Sequence, residues 1–278
     1  MPELPELQAH AERLTETFAG AELAGFRALT FTALKTVVPA PEDAVGHPLR
    51  SVDRLGKYLL VRFEPVTFVV HLMQGGRLAP DEKQSARPKG GLARWTFADG
   101  RALLLAEMAK EKRAGVWVVS GDLTTQPPLE GLGPDAADLT VDELRATLAE
   151  GSMRVHGFLR DQRRIAGVGR RLSSEICHRA RLSPFATTTK LDDDEIERLH
   201  AAIAACIGDA LAVERDRDEM SRSAERPGHV YHRAGEACPV CGDQIRAIEY
   251  SSYTVNYCPN CQTGGKVLAD NTTSKFLK

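Results

Sequence analysis

Cys238-Pro-Val-Cys241 and Cys258-Pro-Asn-Cys261 place four thiols in two knuckles, sixteen residues apart, in a chain of 278 residues. Each knuckle closes a tight turn, and a matched pair at this separation can converge on one tetrahedral Zn2+. All four ligands are thiolates and no open position is offered, so such a metal holds a small hairpin together and takes no part in catalysis. A disulfide framework fits less well. The opening MPELPEL has neither the basic stretch nor the apolar run of an export signal, and four of the six cysteines lie in this one array. At the other end of the chain, Pro2 offers a secondary amine once Met1 is removed. Attack of that amine on C1′ of a deoxyribose forms an iminium, a covalent intermediate of the Schiff-base kind. Glu3 can protonate a sugar oxygen or a leaving group if burial raises its pKa. Pro followed by Glu is also a good first turn of any helix, and taken alone the pair favours that plainer role.

Two interior stretches suit a polyanion. Residues 152–190 hold Arg154, Arg160, Arg163, Arg164, Arg170, Arg171, Arg179, Arg181 and Lys190 against Asp161 and Glu175. The whole chain has 36 Lys and Arg against 38 Asp and Glu, a formal net charge of −2. That balance argues against non-specific coating of nucleic acid, yet a local basic surface binds phosphates while the chain stays acidic. A solvated helix face accounts for the same charges. Within the stretch, Ile165-Ala-Gly167-Val-Gly169 sets two glycines between helical segments. Such a turn lets amides at the following helix N-terminus approach a phosphate, and an ordinary corner between helices satisfies it equally. In Arg54-Leu-Gly-Lys57-Tyr58, Lys57 heads an apolar strand. It can set a cation beside a phosphate or sugar, or be a plain strand-end charge.

These groups need elements to hold them. Leu4, Leu7, Ala11, Leu14 and Phe18 recur at helical spacing, so a helix is expected over 3–19. From about 22 to 120 the pattern turns to strands: Ser51–Phe63, Thr67–Leu72, Leu92–Phe97, Arg101–Leu105 and Val116–Val119, with Ala98-Asp99-Gly100 as a hairpin turn. Short strands in series predict an antiparallel sandwich or barrel. Pro127–Pro134 marks a boundary. Helices follow over Val141–Ala149 with Thr140 as N-cap, Met153–Arg160, Arg171–Ala180, and Asp193 to about Val213 with Asp192 and Glu195 as a capping box. The charge-alternating residues 214–228 predict a flexible linker or loop. No run approaches the ~20 apolar residues of a spanning helix, so a soluble protein of cytoplasmic type is expected. His10, His47, His178 and His200 suit surface or packing positions, and Cys177 and Cys206 suit small buried apolar ones.

Together these residues resemble the formamidopyrimidine-DNA glycosylase / endonuclease VIII family of base-excision repair enzymes, over essentially the whole chain and in the family's order. MPELPE is similar to the formamidopyrimidine branch, which implies Pro2 as nucleophile, Glu3 as acid and Glu6 as a supporting carboxylate. Arg54-Leu-Gly-Lys57-Tyr58-Leu-Leu resembles the segment with the family's catalytic-site lysine, here Lys57, and His71-Leu-Met-Gln74-Gly-Gly resembles the void-filling loop after it. Phe158-Leu-Arg-Asp161-Gln162 through Gly169 resembles the helix–two-turn–helix, and Val230-Tyr-His-Arg-Ala-Gly235 leads into the finger more as in endonuclease VIII. The implied fold is α+β: an N-terminal helix plus antiparallel β-sandwich (1–126), a helical domain with the helix–two-turn–helix (135–228), a zinc-finger β-hairpin (229–265) and a tail (266–278). The implied protein is a monomer on damaged DNA, cytoplasmic and nucleoid-associated in a bacterium. It flips the damaged nucleotide out, displaces the base with Pro2 and cuts by β- and then δ-elimination. His71, Gln74 and Arg113 would occupy or line the void in the duplex, and Gly167, Gly169, Arg170 and the finger would grip phosphates.

Several positions depart from the family pattern. Where the finger normally carries a phosphate-clamping arginine, this chain has Tyr253, with Arg246 at a different offset. A hydroxyl donates one hydrogen bond, whereas arginine gives a charged bidentate grip. Arg170 stands for the asparagine after the Gly-x-Gly turn, and Gln74, preceded by Met73, for the wedge methionine. Lys110-Glu-Lys-Arg113-Ala-Gly115 replaces a stretch that carries an aromatic wedge, and the loop that covers an oxidised purine is short at 214–228. These changes imply a divergent member with another lesion preference, such as oxidised pyrimidines, bulky adducts, or single-stranded or cross-linked substrates. The alternative is a zinc-ribbon protein that binds damaged or structured DNA without cutting it. Pro2, Glu3 and Lys57 favour the enzyme, because a pure binder has no use for a free N-terminal proline. The missing finger arginine points, less strongly, the other way.

Overall fold

A computed structural model describes residues 1–222, 225–250 and 253–268. They form two compact units: Met1–Leu132 with the segment from Glu214, and Gly133–Val213 with the described residues from Glu225 onward.

The first unit opens on helix α1 (Leu4–Phe18). Its first turn is fixed by a reciprocal box in which the Glu3 amide donates to the Glu6 carboxylate at 2.6 Å and the Glu6 amide donates to the Glu3 carboxylate. Leu7, Ala11, Leu14 and Phe18 form the buried face. Thr15 ties the helix to the next sheet, its hydroxyl donating to the Val52 carbonyl at 2.9 Å and accepting the Val52 amide at 2.8 Å.

Eight strands follow: β1 (Leu23–Ala28), β2 (Ser51–Leu55), β3 (Tyr58–Arg62), β4 (Thr67–His71), β5 (Gly76–Pro80), β6 (Gly91–Phe97), β7 (Ala102–Glu107) and β8 (Gly115–Val119). They make two antiparallel four-stranded sheets, in the orders β1-β6-β7-β5 and β2-β3-β4-β8. Phe68 of β4 meets Trp95 of β6 at 5.6 Å between ring centroids, and Phe26 of β1 lies 5.1 and 5.0 Å from the two, so the sheets face each other across an aromatic core. On the far side of β3 and β4, Leu60 and Val69 pack with Val119 and Leu129. Both faces of these strands are covered, which is why they read as continuous apolar runs and not as alternation.

The stretch Ser51–Phe63 splits into β2 and β3 at a two-residue turn of Gly56 and Lys57, where Gly56 has φ 56°. Strand β5 was not foreseen, because Gly-Arg-Leu-Ala-Pro carries neither an apolar run nor a clean alternation. Residues 214–222 are not a free linker either. Glu214 is 2% exposed and accepts the Ser221 amide at 3.2 Å, while the Arg13 guanidinium donates to the carbonyls of Glu214 and Arg217 at 2.9 and 3.2 Å. Arg215 pairs with Glu12 at 2.6 Å, and Met220 enters the sandwich core. Alternating charge suggested solvent, yet the segment is fastened to α1 by its backbone carbonyls and by Arg215.

The second unit contains α2 (Val141–Ala149), α3 (Val155–Arg160), α4 (Arg170–Arg179) and the body of α5 (Asp193–Arg215). Thr140 and Glu143 exchange cap bonds of 3.2 and 2.8 Å at the start of α2, and Asp192 and Glu195 exchange 2.8 and 3.1 Å at the start of α5. A hairpin of β9 (Arg246–Glu249) and β10 (Thr254–Tyr257) precedes the short helix α6 (Pro259–Thr263). Ile248, Val255 and Tyr257 bury against Phe185, and α4 packs on β10. Glu175 of α4 accepts the amides of His229, Val230 and Tyr231 at 2.7, 3.0 and 2.8 Å, which fastens the lead-in to the finger. Among the described residues no helix is long and apolar enough to cross a membrane.

Candidate active site and nucleic-acid interface

In the first unit Met1 is 41% exposed while Pro2, Glu3 and Glu6 are buried. Glu6 holds the amide of the Pro2–Glu3 peptide, so it sets the direction in which the proline ring leaves the helix. Lys57 sits on the turn before β3, tethered through its neighbours: Arg54 donates to Gln8 of α1 at 3.1 Å and to the Gly56 carbonyl at 3.2 Å.

The β3–β4 register sets Tyr58 opposite His71, with their rings 4.7 Å apart. Burial, and then the Lys57 ammonium, lower the His71 pKa to about 4, so its imidazole is neutral near pH 7. Its Nδ1 accepts the Met73 amide at 3.2 Å, which leaves Nε2 carrying the proton as a donor. Met73 adopts φ 51° in the turn that follows, and Gln74 stands exposed beside it. Arg113 is exposed and pairs with Glu111. Its backbone is held by Glu107, 2% exposed, whose carboxylate accepts the amides of Arg113 and Ala114 at 2.6 and 2.8 Å. Because Glu107 also pairs with Gly76 across β5 and β7, one residue joins the 108–114 loop to the end of the 72–75 turn. Glu107 escaped the sequence reading, and its only signal was an acid closing the apolar run Leu103-Leu-Leu-Ala. Lys35 lays its aliphatic chain across Gly115.

In the second unit Gly167 has φ 101° and donates to the Gln162 side chain at 3.0 Å, while the Gln162 amide group donates to the carbonyls of Arg160 and Val168, both at 2.9 Å. Of the two glycines in the turn, Gly167 is the one whose backbone requires glycine. Gly169 is extended (φ −121°) as the N-cap of α4. Tyr253 does not stand free on the hairpin. Its ring stacks on Tyr250 at 4.5 Å and lies parallel to His156 at 6.4 Å, with the Arg160 and Arg170 guanidinium carbons 3.9 and 5.5 Å from its centroid. Arg246 is exposed at the start of β9, opposite Tyr257.

The Sγ atoms of Cys238, Cys241, Cys258 and Cys261 all lie within 4.8 Å of one another, with Cys238–Cys261 at 3.8 Å and Cys241–Cys258 at 3.4 Å. Zinc–thiolate bonds of about 2.3 Å in a tetrahedron give sulfur–sulfur edges of about 3.8 Å, so four cysteines so placed suit such an ion. His178, expected at a surface or packing position, is buried with Nε2 3.3 Å from the Cys238 sulfur. Cys177 and Cys206 stand outside the cluster, and burial pushes the Cys206 thiol up to about 11 and the Cys177 thiol higher still.

The family model for the formamidopyrimidine-DNA glycosylase N-terminal domain matches residues 1–113, and that for the formamidopyrimidine-DNA glycosylase H2TH domain matches residues 131–222. An uncharacterized formamidopyrimidine-DNA glycosylase-like protein of Mycobacterium tuberculosis is 42% identical over 157 residues, covering 56% of this chain and 98% of that protein. The formamidopyrimidine-DNA glycosylase of Bordetella avium is 31% identical over 278 residues, covering 94% of this chain and 99% of its own. Among solved structures, Lactococcus lactis Fpg in complex with DNA containing an abasic site superposes with a TM-score of 0.80 at 22% identity, covering 94% of this chain and 99% of that one. That likeness speaks to the fold.

Proposed function

This chain belongs to the formamidopyrimidine-DNA glycosylase family, and from that premise we propose that it excises damaged bases from DNA and cuts the strand at the resulting abasic site. The observation that carries the proposal is the N-terminus, where a buried Pro2 lies next to a buried Glu3 whose backbone is pinned by Glu6. Removal of Met1 frees the proline nitrogen. Its lone pair forms a bond to C1′ as the glycosidic bond breaks, that bond's electron pair leaves with the base, and the proton shed by the proline nitrogen balances the one the base takes up. Glu3 then protonates O4′, the sugar ring opens to the iminium, and loss of a C2′ proton expels the 3′ phosphate. A second elimination expels the 5′ phosphate. Lys57 and the Nε2–H of His71 are assigned to the sugar–phosphate at the lesion, Gln74 and Arg113 to the space vacated in the duplex, and the Gly167–Gly169 turn with Arg170 to the backbone.

The four cysteines are assigned to Zn2+, which would hold the hairpin and supply no step of the reaction. Relatives solved with an abasic site and with an oxidised pyrimidine in the DNA support damaged DNA as the partner class.

Borohydride trapping tests the proposal, using untagged protein with a processed N-terminus on duplexes containing an abasic site, 8-oxoguanine or an oxidised pyrimidine. The expected result is a covalent adduct on the abasic duplex that Pro2→Gly loses while still binding. Equal trapping by Pro2→Gly would remove Pro2 from the role. No adduct from zinc-loaded wild type would leave a DNA binder that does not cut.

A further inference from the structure

We infer that Tyr253 is a platform for a two-arginine phosphate clamp, in which Arg160 and Arg170 grip an internucleotide phosphate of the DNA and Tyr253 holds both without touching it. The inference rests on the DNA-binding part of the proposed function. It also revises the place of Tyr253, from a donor to DNA to a support behind the donors.

Three observations carry it. The first is the stack itself. Arg160 ends α3 and Arg170 begins α4, so the two guanidiniums come from either side of the Gly-x-Gly turn and reach one ring at 3.9 and 5.5 Å. Tyr250 stacks on the same ring at 4.5 Å and 9°. The second is charge. Neither Arg160 nor Arg170 forms an ion pair among the described residues, although Arg145, Arg164, Arg179 and Arg233 of the same unit all do. The neighbouring Asp161 instead turns its carboxylate to the Arg163 amide at 3.0 Å. Arg163, Arg181 and Arg246 of this unit likewise form no ion pair among the described residues, but only Arg160 and Arg170 meet on one ring. Two guanidiniums on one ring repel each other, and cation–π attraction offsets that repulsion only in part. An anion bridging them removes it. The third is hydrogen bonding: Arg160 Nε is buried with no partner. With Nε inside, the Nη groups, which have no acceptor among the described residues, are the ones that could meet a phosphate bidentately.

A purely structural role, stapling the hairpin to α3 and α4, needs the ring and one arginine. It does not call for a second guanidinium on the same ring. The clamp also accounts for the missing finger arginine, since the charge now comes from the helices and the finger contributes the surface that aligns it.

The test is equilibrium binding of the full-length, zinc-loaded protein to a duplex with a tetrahydrofuran abasic analogue, across ~50 to ~200 mM salt. Arg160→Gln and Arg170→Gln should each weaken binding about tenfold and lower the salt slope by about 1. Tyr253→Leu should weaken it by a similar factor with a lowered slope. Tyr253→Phe should restore wild-type affinity, because the ring and not the hydroxyl is used. Tyr253→Leu should add nothing in the Arg160→Gln/Arg170→Gln background. Unchanged salt slopes in both arginine variants would overturn the clamp, even if Tyr253→Leu proved unable to fold. So would a Tyr253→Phe as weak as Tyr253→Leu, which would make the hydroxyl the donor. Trapping separates the two proposals: wild type that traps on the abasic duplex while the variants bind normally sinks the clamp alone. Wild type that binds with the predicted slopes but never traps sinks the lyase alone.

Discussion

Glu3, Glu6 and Glu107 are each withdrawn from water; Glu3 and Glu6 each accept one backbone amide and Glu107 accepts two. A buried carboxylate is costly unless its oxygens are bonded, so amides pointed at it give rigid placement in return. Glu107 fixes the backbone of Arg113, whose side chain is otherwise exposed. Glu107→Ala leaves two amides without an acceptor, at a cost of about 1–3 kcal/mol each. It should weaken binding to an abasic duplex severalfold while leaving trapping at saturating DNA intact. Glu107→Gln keeps a carbonyl acceptor and should lie between. Loss of trapping at saturation would place Glu107 in the chemistry and not behind Arg113.

At the scale of elements, the finger is held in two independent ways. The four cysteine sulfurs lie close enough that a bound Zn2+ would draw the knuckles together, and Glu175 of α4 holds residues 229–231 by three amide bonds. Structural zinc sites contribute folding energy directly, and without it so small a hairpin has too little core to persist. Cys258→Ser or chelation should therefore unfold the hairpin and abolish tight DNA binding while the sandwich stays folded. Glu175→Ala should keep the metal and accelerate amide exchange at His229, Val230 and Tyr231. Exchange protection that survives Glu175→Ala would assign the lead-in's stability to the metal alone.

For the whole molecule, buried neutral histidines link stability to pH. Burial is the first cause of lowered pKa values at His10 and His71, both about 4, and at His156, about 3. Above pH 6.5 these imidazoles are neutral in folded and unfolded chains alike and contribute no pH dependence. As pH falls below 6.5 the unfolded chain takes up protons that the fold refuses, so stability is lost down to the folded-state values. Each histidine adds about 1.4 kcal/mol per pH unit to that loss. Urea unfolding at about pH 8, 7 and 5 should show little change across the first interval and a marked drop across the second. His10→Asn, which can still donate to the Leu78 carbonyl that Nε2 meets at 2.6 Å, should flatten the drop. A stability that is level from pH 7 to 5 would contradict the buried-neutral assignment.

What the sequence by itself determined is what short spacing determines. The paired CxxC knuckles, the Glu3–Glu6 turn, the Thr140 and Asp192 caps and the helical period of α1 all depend on residues a few positions apart, whose geometry the local backbone sets. The resemblance carried by the two ends of the chain extended that reading to the family. Only the tertiary structure decided that residues 214–222 pack against α1, that Glu107 anchors the Arg113 loop, that His178 meets the Cys238 sulfur and that Tyr253 lies under Arg160 and Arg170. Each of these joins residues brought close by sheet register or helix packing. Such long-range pairings leave no periodicity in a single sequence, because many residue pairs satisfy the same local rules and only the assembled fold selects among them.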